Sequence, residues 1–340
     1  MLQYILRRLL LIPPTFLGVT LLVFTITRFV PGGPVERAVA EFQQISEVGG
    51  GGGVTSPVAS SLSEEQLDQL REYYGFDQPV VVSYLQWLGK ICLLDFGIST
   101  RYSDPVIGTI AERLPISLFY GSLTMIITYL VCIPLGIIKA IKHSTAIDHF
   151  SSVLVFIGYA IPAYVVAIIL LVYMGADLQL FPLGGFTGDD FEDLSPVGKV
   201  IDVIYHAVLP LISYVVGSFA VTTFMMKNAL MDNLAADYVR TAVAKGMGFR
   251  ASVIHHALRN SLIPMATHFG NNISFVIAGS FLIEKIFNID GLGLLGFESV
   301  VERDYPVVMG ILVLSSLLQM VGNILSDICV ALVDPRVQFR

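Results

Sequence analysis

Two sets of residues in this chain have the types and spacing to do chemistry, and in both it is the chemistry of contact rather than of bond-making. The first is the polar, basic run Asp237-Tyr238-Val239-Arg240-Thr241-Ala242-Val243-Ala244-Lys245-Gly246. A glycine after a short amphipathic stretch, here Asn228 to Ala244, is a helix-stop signal, because glycine takes the left-handed conformation without steric cost. A second helical stretch, Ala251 to Ser261, then leads to Pro264, so two short helices meet at Gly246 and form a compact knob. The second set is uncharged polarity inside an otherwise apolar stretch: Thr267, His268, Asn271, Asn272, Ser274 and Ser280, with Gln319 and Asn323 in a later one. Such groups either hydrogen-bond between helices, at roughly 0.6 kcal/mol per contact, or line a hydrated path.

Bond-making motifs are missing. Cys92, Cys132 and Cys329 form no C-x-x-C pair, and His255-His256 belongs to no H-E-x-x-H, so the histidines read as structural and no metal site is expected. Gly49 to Gly53 lacks the Lys-Ser/Thr of a phosphate-binding loop and reads as a linker, and no G-x-S-x-G occurs. The chain is not expected to be an enzyme, to bind a cofactor or to hydrolyse nucleotide itself.

The elements that position these residues are membrane helices. Of 340 residues, 54% are hydrophobic and 14% charged, with a mean hydropathy of +0.74; soluble domains carry about 25% charge. A bilayer core of about 30 Å takes about 20 apolar residues as a helix. Six windows qualify: Leu9 to Val30, Pro115 to Ile138, Ser152 to Gly175, Ala207 to Met226, Met265 to Ile283 and Tyr305 to Ser326. Continuous rather than alternating apolarity selects helices over a barrel. The first window follows Arg7-Arg8 but is too long for a signal peptide and has no small-x-small cleavage site, so it reads as an uncleaved helix. Prolines 134, 162 and 210 predict kinks.

Lysine and arginine set the orientation. With the N-terminus inside, the inner segments hold eleven basic and four acidic residues, while the outer segments hold nine basic and 22 acidic ones. The net charge of −7 thus hides a basic inner face and an acidic outer one, and it argues against a nucleic-acid partner. Both termini fall in the cytoplasm. Outside lie the long segment from Pro31 to Leu114 and the acidic one from Ala176 to His206. The first contains a capped helix start at Ser63-Glu64-Glu65-Gln66 opening Leu62 to Tyr74. It also contains Val80 to Leu94, too short to span, which places Val81, Tyr84, Leu85, Leu88 and Cys92 on one interfacial face beside Trp87. The knob lies in the inner connection from Lys227 to Pro264, whose 38 residues far exceed the ~2 to 8 of an ordinary bundle connection.

The span interiors carry no ionisable residue at mid-depth, whereas ion-coupled transporters keep one as relay or ligand. The driving force is therefore expected from another subunit, met at the knob. Here the sequence resembles the permease subunits of ATP-binding-cassette importers that work with a solute-binding protein. Their signature is E-A-A, three residues, G, nine residues, then I-x-L-P. Arg240-Thr241-Ala242 and Gly246 occupy its first part with the right spacing, and Leu258 alone matches the second. The variant with His256-Ala257-Leu258-Arg259-Asn260 and Pro264 is similar to the dipeptide and oligopeptide branch. So are Pro31-Gly32-Gly33-Pro34, Gly291-Leu292-Gly293, Arg303-Asp304-Tyr305-Pro306 and Asp334-Pro335-Arg336. Gly158-Tyr159-Ala160-Ile161-Pro162 and Phe181-Pro182-Leu183 look closest to the YejB-type permeases within it.

The resemblance implies an all-α membrane protein of six transmembrane helices. A type I importer permease (MetI-like) core would span residues 115–332, including the loop 227–264. An extra N-terminal helix, 1–30, a periplasmic segment, 31–114, and a cytoplasmic tail, 333–340, complete the chain. It implies a multi-pass place in a bacterial inner membrane, in contact with lipid. The expected partners are a second homologous permease, a cytoplasmic ATPase that uses ATP and Mg, and a periplasmic peptide-binding protein. Tyr238, Arg240, Thr241, Ala242, Lys245 and Gly246 would form the ATPase-coupling surface, with Arg240 and Lys245 in polar contacts and Ala242 permitting close approach. His268, Asn271, Asn272 and Ser274 are the candidate pore-lining residues. The competing reading is an ion-coupled secondary transporter; a membrane-embedded enzyme ranks behind both for want of a convergent catalytic set.

Overall fold

The computed structural model describes residues 2–29 and 78–333, apart from the side chains of residues 2–5, 29, 271 and 273–278. The expected linker at Gly49 to Gly53, the helix from Leu62 to Tyr74 and the terminal Asp334-Pro335-Arg336 lie outside the described residues. Helices in chain order are α1 (Leu2–Phe29), α2 (Val80–Cys92), α3 (Val106–Ile141), α4 (Ala146–Ala160), α5 (Ala163–Leu170, extended by π-helical Leu171–Asp177), α6 (Pro196–Ala235) and α7 (Asp237–Ala244). Then come α8 (Phe249–Ser252), joined through π-helical Val253–Ala257 to α9 (Leu258–Ser261), α10 (Ile263–Ala278), α11 (Phe281–Ile286), α12 (Leu292–Val301) and α13 (Tyr305–Val333).

Among the described residues, four helices, α1, α3, α6 and α13, are long and apolar enough to cross a bilayer. The third apolar window is a pair, α4 and α5, bent by 92°. Pro162 explains the bend: it has no N–H to donate and pushes Ile161 out of the helical region, to φ −91 and ψ 121. Pro134 and Pro210, also expected to kink, instead lie within the unbroken helices α3 and α6. The fifth window is broken as well. Helix α10 stops after 16 residues, Gly279 turns to φ +59, Ser280 is extended, and α11 restarts at Phe281. At 1.5 Å per residue α10 alone reaches about 24 Å, short of the hydrocarbon core.

The chain divides into two compact units. The larger comprises Met1–Leu11, Glu112–Phe297 and Ser315–Arg340. Its core has two clusters. One joins Tyr120, Ala167, Leu209, Ile283, Phe287 and Ile289. The other joins Ala140, Met226, Leu230, Val239, Val253, Ala257 and Met265, so that α7 is anchored through Val239. The smaller unit comprises Ile12–Ala111 and Glu298–Leu314. There Phe24 packs on Tyr84 and Trp87, each at 5.5 Å between ring centroids. Ser83 and Ile91 form the buried edge of α2, while Val81, Leu85 and Cys92 face outward. The other members of the expected face, Tyr84 and Leu88, are half-buried, with Tyr84 held against Phe24 of α1. Asp304, read from sequence as merely bordering the last span, is fully buried and accepts hydrogen bonds from the Ser99 hydroxyl and the amides of Thr100 and Arg101.

Three charges assigned by sequence to the inner surface are also buried. Lys139 on α3, Asp148 on α4 and Lys227 on α6 are at most 8% exposed. Lys227 Nζ lies 2.8 Å from both Asp148 carboxylate oxygens. Lys139 Nζ lies 3.1 Å from Oδ1 and donates to the hydroxyls of Ser151 and Ser152 at 2.8 Å. One carboxylate thus ties three helices together while serving two ammonium groups.

Two outcomes follow from this packing. Removing one member of a buried ion pair strands the other and costs about 3 to 5 kcal/mol. Asp148→Asn is therefore expected to lower the melting temperature of the purified protein more than Lys227→Met does, and the double variant to lose less than the sum of the two. At Gly270, an added Cβ would sit 2.1 Å from Ser326 Cβ and 2.4 Å from Gly322 O. Gly270→Val is expected to cost about 1 to 3 kcal/mol by overpacking, read as a lower melting temperature in detergent. Gly18→Ala, with nothing within 4 Å of the new atom, is the control expected to lose none.

Candidate functional site

The loop read from sequence as a knob turns at Gly246, but Asn228 to Ala244 is not one helix: residues 228–235 end α6, Ala236 is extended, and α7 begins at Asp237. Helix α7 ends in a Schellman arrangement: Met247 N–H donates to Ala242 O at 3.1 Å and Gly246 N–H to Val243 O at 2.9 Å. This closure needs a left-handed residue, and Gly246 supplies φ +91. Val239 points inward, 3% exposed, while Arg240, Thr241, Val243 and Lys245 are exposed and Ala242 is half-buried. Tyr238 is partly engaged within the loop. Its hydroxyl bonds Asn233 Oδ1 and accepts from Asn260 Nδ2 at 3.1 Å, tying the end of α6 and α9 to α7. The knob therefore exposes Arg240 and Val243 on α7, Lys245 at its cap, and Met247 and Phe249 beyond it, with Val239 packed against Leu230 of α6.

The second set of candidates meets a half-open cavity of about 450 Å³ within the larger unit. His268 and Asn272 line it, and Asn272 Nδ2 lies 2.7 Å from His268 Nδ1. The Tyr129 hydroxyl stands 3.4 Å from the same ring nitrogen. Asn271 and Ser274 lie on α10 with side chains outside those described. Ser280, at the break after α10, also lines the cavity, whereas Thr267 does not.

Sequence reasoning missed the cavity's carboxylate. Glu284 was placed in an outer segment because the apolar window stops at Ile283, yet it is 2% exposed and lines the cavity. Its Oε2 accepts from the Leu294 amide at 2.6 Å, near the start of α12, and its Oε1 from the Tyr214 hydroxyl at 3.3 Å. Tyr214 OH in turn accepts from the Ser280 amide at 3.2 Å, and Ser117 Oγ from the Leu292 amide at 2.8 Å. Two glycines make room for the carboxylate. A Cβ on Gly279 would meet Oε1 at 2.0 Å, and one on Gly291 would meet Cδ at 2.7 Å. A glutamate between glycines at 279 and 291 was the available signal.

The matching family model is described as binding-protein-dependent transport system inner membrane component and covers residues 132–339. The chain is 38% identical to the peptidoglycan transport system permease protein YejB of Agrobacterium fabrum, over 99% of this chain and 98% of that one. It is 35% identical to the oligopeptide transport system permease protein AppB of Bacillus subtilis and 32% identical to the dipeptide transport system permease protein DppB of Escherichia coli strain K12, each over 100% of both chains. These likenesses support the ATP-binding-cassette reading and not the ion-coupled one. The chain belongs to the family of binding-protein-dependent transport system inner membrane components, the permease subunits of ATP-binding-cassette importers.

Proposed function

We propose that this chain forms half of the translocation pore of an ATP-driven importer for oligopeptides or peptide-like compounds, as the names of its relatives suggest. In this reading the spans number six: α1, α3, the bent pair α4 and α5, α6, the broken pair α10 and α11, and α13. Both termini and the loop 227–264 lie in the cytoplasm, following the basic bias of those segments. Residues 1–30 are the extra helix, 31–114 the periplasmic segment, 115–332 the permease core and 333–340 the tail. A second, homologous permease completes the pore, a periplasmic peptide-binding protein delivers the substrate, and a cytoplasmic ATPase uses ATP and Mg.

The observation that carries the coupling role is α7, a closed two-turn helix fixed to α6 through Val239 and Tyr238 with a basic and apolar outer face. Coupling needs an element whose position differs between two states and which does not yield when pushed. Set in a groove of the ATPase, α7 would transmit dimer closure to the bundle, with Tyr238 bracing it, Arg240, Thr241 and Lys245 contacting the groove, Ala242 allowing close approach and Gly246 turning the chain.

Gly246 tests this. No neighbour lies within 4 Å of an added Cβ, so a substitution there strains only the backbone at φ +91. Gly246→Asp is expected to abolish ATP-dependent peptide uptake by the reconstituted complex while membrane insertion stays at the wild-type level. Gly246→Val, β-branched and least tolerant of positive φ, should do the same, and Gly246→Asn should keep part of the uptake. Peptide-stimulated ATPase activity in an assembled Gly246→Asp complex would overturn the coupling role.

A further inference from the structure

We propose that this half-open cavity is a transit site for the N-terminal end of a peptide, with Glu284 as its anionic pole and the hydroxyls of Tyr120 and Thr124 as donors to the neighbouring backbone carbonyls. The proposal rests on the importer reading and adds to it a chemical preference held by the permease itself.

Three observations converge on it. The cavity, about 450 Å³, is of a size that holds a small organic ligand. Its polar groups fall into two kinds. His268 and Asn272 already bond each other. The Tyr120 hydroxyl and Thr124 Oγ1 are buried with no hydrogen-bond partner among the described residues, and both residues line the cavity. Buried hydroxyls are nearly always paired, so two orphans on one wall point to an acceptor that arrives from elsewhere. Tyr120 is 2% exposed and its ring stacks on Tyr214 at 6.1 Å, which holds it beside the tyrosine that bonds Glu284.

The carboxylate supplies the third observation. Glu284 receives one hydrogen bond at each oxygen, whereas an ionised carboxylate has about four acceptor sites. Among the described residues no lysine, arginine or histidine pairs with it; the nearest compensation is the amino end of α12, equivalent to about half a charge. A buried carboxylate so placed favours a cation bearing several N–H donors. An α-ammonium followed by amide carbonyls matches both halves of the wall, the anionic pole and the orphaned donors.

Glu284 also braces the turn between α11 and α12, so the test must separate charge from support. Glutamine keeps an acceptor for Leu294 and loses the charge, and Tyr120→Phe removes a hydroxyl that bonds nothing. Binding of radiolabelled trialanine and N-acetyl-trialanine is measured on the full transporter complex, without the binding protein. The wild type is expected to favour the free amine at least tenfold. Glu284→Gln should weaken trialanine about tenfold and leave the acetylated peptide unchanged. Tyr120→Phe should weaken both about threefold at an unchanged melting temperature. Equal wild-type affinities, an equal loss for both peptides in Glu284→Gln, or an unaltered Tyr120→Phe would overturn the assignment; should Glu284→Gln fail to assemble, Tyr120→Phe decides. Absence of ATP-dependent uptake by the wild-type complex with its binding protein would instead sink the importer reading, independently of the cavity.

Discussion

Hydrocarbon offers no partner to a backbone amide, so a chain that lives in it stays helical or finds each freed N–H a partner within the protein. The interruptions in this chain obey that constraint in two ways. At Pro162 the helix stops at a residue with no N–H to strand, and the preceding amide of Ile161 still reaches Ile157 O at 3.3 Å. At the second break, the amides of Ser280, Leu292 and Leu294 are taken up by Tyr214, Ser117 and Glu284. Tyr214 and Ser117 come from α6 and α3, and Glu284 from α11 itself, so the surrounding helices and the segment's own glutamate hold the turn together.

Charge obeys the same rule. Asp148 is buried only because two lysines and the Ser144 amide converge on it. Asp304 is buried where backbone amides and a serine hydroxyl meet it. Glu284, like Asp304, is met by neutral partners, the Leu294 amide and the Tyr214 hydroxyl. Unlike Asp148 and Asp304, Glu284 lines the cavity.

What was legible in the sequence was local. Apolar runs of helical length marked α1, α3, α6 and α13, and the glycine that follows the stretch Asn228 to Ala244 marked the close of α7, because both signals are contained in a few turns of chain. The bend at Pro162 was legible for the same reason. What was not legible depends on partners distant in sequence. Lys227 and Asp148 are 79 positions apart, so each read as a solvated loop charge. Glu284 fell one residue beyond an apolar window and was counted with the outer acids, although Tyr214 encloses it from 70 positions away. Which residues of α2 pack and which face outward was left open, because hydrophobicity marks the lipid-facing side of a membrane helix as readily as the packed one. There the contact with Phe24 decides, through Tyr84 and Trp87.

The two candidate sites share one rigid element. Helix α6 runs unbroken for 40 residues. Tyr214, which holds Glu284, and Leu230, which packs with Val239, both lie on it, with no proline between them. Sixteen residues of helix put about 24 Å between these points. A helix without a hinge converts a push at one end into a displacement at the other, because packed interiors shift as bodies rather than stretch. In the proposed coupling role a push on α7 would therefore reach Tyr214, which bonds both Glu284 and the Ser280 amide at the break after α10. The path from the knob to the cavity wall runs through one hydrophobic anchor, one continuous helix and one tyrosine hydroxyl.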